Sequence, residues 1–153
     1  NDFETIYYDP SVNGLIMICK TCEADKGQKG RTAYRFDLAQ RKFDSTEFYI
    51  LSSEKVKSLV NDQNADFKPS AAAINPIDKQ LYILSSAGQL MIIADTRGNI
   101  NSAYKLDPKL NPQAEGIAFA PDGTMFISNE GKMGKPTLQV IPYKIKTDQK
   151  KTK

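Results

Sequence analysis

EGIAFAPDGTMFISNE, residues 115–130, decides the fold. Apolar and small residues alternate up to Phe119, Pro121 stops the run, Asp122-Gly123 turns the chain, and a second apolar run ends on Ser-Asn-Glu. That is a β-hairpin with a mechanism for its turn. Two other stretches align with it: ETIYYDPSVNGLIMICK (4–20) and SAAAINPIDKQLYILSS (70–86). Each opens on a polar residue and meets a proline six residues later, at Pro10, Pro76 and Pro121. Proline at the end of a strand removes no ladder donor. Asn13-Gly14 and Asp122-Gly123 supply residues that tolerate positive φ at the turns.

Working outward, a third strand follows each hairpin: TAYRFDL (32–38), QLMIIAD (89–95) and TLQVIPYKI (137–145). A fourth follows the first two, FDSTEFYI (43–50) and INSAYKL (100–106), with Arg97-Gly98-Asn99 as the turn into the latter. Ser70 and Glu115 stand about 45 residues apart, one four-stranded propeller blade. The first unit is longer. It carries the loop TCEADKGQKGR (21–31) and an insertion near 51–66, where Val56, Leu59 and Val60 have helical spacing after Ser52-Ser53.

The chain therefore reads as all-β, a partial β-propeller over 1–146. Its blades lie at about 1–50, 67–106 and 112–146, and a basic tail follows at 147–153. Three blades do not close a ring. The last unit lacks a fourth strand, so the expectation is the C-terminal portion of a larger propeller, completed by blades N-terminal to it. A self-contained β sandwich is the alternative.

The composition sets limits. There is no histidine, which removes His-based triads and His-ligated metals. The formal charge is +3, and its five lysines in 144–153 read as a solvated tail; nucleic acid is not an expected partner. No apolar run is long enough for a transmembrane segment. Cys19 and Cys22 lack the second pair of ligands that zinc needs. The sequence after them reads as a loop, so structural or inert cysteines are expected over redox chemistry, and in an oxidising envelope a local disulfide would pin this loop. GKMGKPT (131–137) fails the phosphate-loop spacing, and Pro136 stands where Ser or Thr should follow the lysine. Tyr7, Tyr8, Phe119 and Phe126 are expected in the core or on sheet faces.

Glu115 and Glu130 frame the third hairpin, and antiparallel pairing brings the start of one strand beside the end of the next. Glu4 and Lys20 hold the equivalent places in the first unit, and Ser70 and Ser86 in the second. Neighbouring carboxylates repel unless a cation sits between them. Calcium suits such an oxygen set. Glu115, Glu130 and Glu4 are the candidate ligands, with Asn129 and the hydroxyls of Ser70 or Ser86 in support. A solvated rim with Lys20 neutralising one glutamate is the other reading, and the residues alone leave both open.

EGIAFAPDGTMFISNEG, KPSAAAINPIDKQLYILSSAGQLMIIADTRG and NDFETIYYDP together resemble the SdiA-regulated family of bacterial β-propellers, and NHL-like propellers more distantly. The resemblance runs from Asn1 to about Tyr143, roughly the C-terminal half of a typical member. It implies a five- or six-bladed propeller exported to the periplasm or cell envelope, lipid-anchored in some full-length forms. It also implies a calcium ion and no established catalysis. Three functions follow as expectations: a noncatalytic calcium-binding propeller presenting its channel face to a ligand or protein partner, a calcium-dependent hydrolase with Lys20 as the candidate base, or a metal-free scaffold.

Overall fold

The computed structural model describes residues 1–27, 29–131 and 134–144. The repeats fold into three antiparallel sheets. In the first, β1 (Asp2–Asp9), β2 (Gly14–Thr21) and β3 (Gly30–Asp37) pair in order. In the second, β6 (Ala71–Ile74), β7 (Leu81–Ser85), β8 (Leu90–Ala94) and β9 (Ile100–Lys105) do the same. The third has β10 (Ala114–Phe119), β11 (Met125–Asn129) and β12 (Thr137–Ile141). The innermost strands β1, β6 and β10 stand side by side, so the sheets are consecutive propeller blades.

The first blade departs from the reading of 43–50 as one strand. Its fourth position is split into β4 (Lys42–Phe43), beside Phe36 and Asp37, and β5 (Tyr49–Ser52), beside Gly30 to Ala33. The N–H groups of Asp44 and Phe48 still reach the Arg35 and Ala33 carbonyls, and the residues between them leave the ladder. The Asp44 carboxylate instead takes Nε of Arg35 at 2.9 Å.

The three hairpin turns share one device. Asn13, Lys79 and Gly123 occupy equivalent places with φ of 44°, 59° and 83°. Gly14 does not have the positive φ expected of it. It lies in β2 opposite Asp9, and a Cβ there would stand 2.8 Å from Cγ of Arg35. The glycine is needed for room, not for its backbone angle. Gly98 does turn at φ 83°, as the Arg97-Gly98-Asn99 reading required.

Blade 2 is buried on both faces, which explains its near-continuous apolar runs. Leu81 and Ile83 of β7 face blade 1 and join a cluster with Ile16, Ile18, Leu51 and Phe67. Leu84 and Tyr82 point the other way and meet Met125, Ile127 and Phe119 of blade 3. The insertion forms α1 (Ser53–Leu59), capped by Ser52 Oγ, which accepts the Lys55 N–H at 3.1 Å. Val56 on α1 is fully buried in the first cluster.

Cys19 and Cys22 form a disulfide at the end of β2. A 3-10 turn, Glu23–Asp25, follows, and the buried Asp25 carboxylate accepts the N–H and hydroxyl of Thr32 at 3.1 and 2.6 Å. Tyr7 is core, its hydroxyl 2.7 Å from that of Tyr49. Tyr8 is 49% exposed, and Phe126 lies on the outward face of blade 3. Lys132 and Met133 of the GKMGKPT stretch, and the lysine tail from 145 onward, lie outside the described residues.

Candidate functional site at the strand-start end of the blades

The hairpin glutamates sit on β-bulges. Phe3 pairs with Cys19 and Thr5 with Ile18, so Glu4 is left unpaired between them. Ala114 pairs with Asn129 and Gly116 with Ser128, which leaves Glu115 in the same position of blade 3. A bulge re-aims the side chain of its extra residue. Gly116 makes the second bulge fit, because a Cβ there would collide with the Ser128 hydroxyl. The Glu-Gly pair thus has a steric reason.

The two glutamates are treated differently. Glu4 binds Lys20 Nζ at 2.6 Å. That hydrogen bond raises the Lys20 pKa; burial opposes it, and the charges of Glu4, Asp2 and Glu115 add to the rise. Lys20 is therefore held protonated. A general base at neutral pH needs the opposite shift, so the hydrolase reading loses its candidate. Glu115 binds the Gln113 side-chain amide, whose Nε2 donates to Glu115 Oε1 at 3.1 Å and to Glu130 Oε2 at 2.7 Å. One nitrogen thus gathers both carboxylates of the third hairpin, and the Gln113 carbonyl accepts the Glu130 N–H. Gln113 was missed in the sequence. Its one signal is its place two residues before Glu115.

Two of the supporting residues, Ser70 just before β6 and Asn129 at the end of β11, are buried at this same end. Ser70 is buried, and its hydroxyl donates to the Ala114 carbonyl at 2.9 Å while accepting the Ser86 N–H at 3.2 Å. It clips blade 2 to blade 3. Asn129 is 3% exposed, on the β11 face that carries Met125 and Ile127 toward blade 2. Neither atom of its amide has a hydrogen-bond partner. Among the described residues no three Asp, Glu or Cys side chains stand close enough together to hold a metal ion. The local oxygen set is the Glu115–Glu130 pair, with Gln113 able to present its own oxygen after an amide flip. At the other end of the inner strands, Tyr8, Ile74, Phe119 and the small Ala72 and Ala73 line an apolar concavity of about 470 Å3.

Residues 3–133 match the sequence pattern of the SdiA-regulated family. The chain belongs to that family. No curated protein sequence matches it. Solved structures give the SdiA-regulated chain propeller relatives at low identity. It is similar to a luciferin-regenerating enzyme with TM-score 0.56 and 16% identity, over 84% of this chain and 38% of that one. It is similar to Kuenenia stuttgartiensis hydrazine synthase with TM-score 0.54 and 18% identity, over 93% and 34%. A putative oxidoreductase (glucose dehydrogenase) from Thermus thermophilus gives 0.54 and 10%, over 92% and 45%. The chain therefore spans less than half the length of each. Identities this low carry the fold alone.

Proposed function

We propose that this SdiA-regulated chain is a noncatalytic binding propeller of the cell envelope. Its strand-start end takes calcium between Glu115 and Glu130, and its channel face meets a ligand or protein partner. The observation that supports this reading is the convergence of both carboxylates on the single Gln113 amide. Rotating that amide replaces a donor by an acceptor, leaving three side-chain oxygens toward a cation. Calcium accepts such irregular oxygen sets and completes its shell with water. Lys20, whose charged form the hydrogen bond to Glu4 favours, supplies no base for turnover. The Cys19–Cys22 disulfide fits an oxidising compartment. No helix among the described residues is long and apolar enough to cross a membrane.

Thermal melting with calcium and with chelator tests the proposal. Binding to the folded chain raises Tm. The expected result is a calcium-dependent rise in the wild type that is lost in Glu115→Gln and retained in Glu4→Gln. No rise in the wild type overturns it, as does an equal rise in all three proteins.

A further inference from the structure

Blade 2 turns a polar and aromatic row toward blade 3. Ile93 of β8 pairs with Tyr82 of β7 on one side and with Ser102 of β9 on the other. Tyr104 follows two residues later on the same face of β9. This is the face that packs on blade 3, because Tyr82 meets Phe119 edge-on with ring centroids 5.1 Å apart. Beside that contact the row borders a cleft of about 580 Å3, inside the range of about 300–1,000 Å3 usual for small-molecule sites. Tyr143, just after β12, lines it from blade 3. Gly123 seats that tyrosine, since a Cβ there would stand 2.8 Å from Cγ of Tyr143.

The polar groups of the cleft are held by bonds of their own. Asp78, in the turn between β6 and β7, accepts the Tyr82 hydroxyl at 2.8 Å on one oxygen and the Gln80 N–H at 3.0 Å on the other. Gln80 Oε1 accepts the Asn101 amide at 2.9 Å, which leaves its own Nε2 to donate. Burial first, then the hydrogen bond and charge of Asp78, then the hydroxyls of Tyr143 and Tyr104 raise the Tyr82 pKa. The three phenols therefore approach one another at their polar ends. Tyr104 is 51% exposed, so its ring is open to a ligand.

A ligand for this cleft needs donors and acceptors along one edge and a C–H face for an aromatic ring. A hydrocarbon would leave the carboxylate and the phenols unpaired. A cation fits less well, because Asp78 already has a donor on each oxygen and Lys144 stands at the margin. We infer that the cleft between blades 2 and 3 binds a neutral saccharide, whose ring C–H groups pack on Tyr104 and whose hydroxyls bond Asp78, Gln80 and Ser102. None of these residues belongs to the proposed calcium site, so the two readings stand or fall separately.

Titration calorimetry in chelator, with maltotriose, cellotriose and chitotriose in turn up to millimolar concentration, tests the site. The chain has no tryptophan, so tyrosine fluorescence gives a second readout. The expected result is saturable binding of at least one trisaccharide, weakened about tenfold by Tyr104→Ala and retained by Tyr104→Phe, which keeps the ring. Asp78→Asn should weaken it as well. Tyr104→Thr repeats the test with a strand-compatible residue should the alanine variant fail to fold. Tetramethylammonium is the cation probe and should not bind. Failure of all three trisaccharides to bind overturns the inference, and so does binding that Tyr104→Ala and Tyr104→Thr leave unchanged. Tetramethylammonium binding that Tyr104→Ala removes, without saccharide binding, means a cation cage and overturns it too.

Discussion

The two interfaces that flank blade 2 are built unequally. Between blades 1 and 2, among the described residues, fifteen buried side chains form one cluster, reinforced by Val56 of α1 and Ala65 from the insertion and by Phe67 just after it. Between blades 2 and 3 there are five. Polar groups differ too. The first interface pairs the Tyr7 and Tyr49 hydroxyls. The second buries the Asn129 amide with both its atoms idle. The first has idle oxygens of its own on Thr5 and Asp9, but Asp9 also accepts two bonds from Ser11 through its other oxygen. The lesson is that a repeat does not distribute stability evenly. The insertion that lengthens the first unit is also what thickens its joint.

The largest effect that can break this comparison is a matched pair of core deletions. Ile83→Ala, in the first interface, should cost about 4 kcal/mol, and Ile127→Ala, in the thinner second, about 2 kcal/mol, because a loosely packed site collapses around the cavity. Denaturant unfolding of both variants measures it. Equal losses would mean the two joints are equivalent.

A smaller effect isolates the tyrosine pair. Burial, above all, raises the pKa of Tyr7 and of Tyr49 beyond the ordinary value near 10. A raised folded-state pKa means stability that is complete below about pH 10 and is lost as pH rises above it, by up to about 1.4 kcal/mol per pH unit for each such tyrosine. Tyr49→Phe should flatten that alkaline slope. An unchanged slope would mean that Tyr49 has no share in the alkaline loss.

The smallest effect sharpens the other side. Asn129→Leu, measured in chelator, should stabilise the chain by about 1 kcal/mol, since a shape-matched apolar group replaces an amide that has no partner. Destabilisation would show that the amide is satisfied after all, and would return Asn129 to the candidate ligands.

Much of this architecture was legible because a hairpin is local. Proline, turn residue and alternation lie within one stretch, so the three repeats and their third strands could be read directly. The Ser52 cap of α1 was readable for the same reason. The split of 43–50 was not, because it depends on Asp44 meeting Arg35 across the sheet. Gly14 was misread because the need for it comes from the Arg35 side chain on the neighbouring strand. At the candidate site, pairing rules brought Glu115 near Glu130 and Glu4 near Lys20. They could not show that Ser70 turns inward to clip Ala114, or that Gln113 stands between the carboxylates. Those depend on bulges and on inter-blade packing, which no single hairpin encodes.

The Cys19–Cys22 bridge closes a loop of only a few residues. Such a short ring removes little freedom from the unfolded chain, about 2 kcal/mol on the chain-entropy account, and a longer loop would remove more. Its greater effect is on direction. It fixes how the chain leaves β2, and so where Asp25 arrives beneath Thr32. Reduction would then act less as a general loosening than as a loss of aim at one corner of blade 1, beside Lys20 and Glu4.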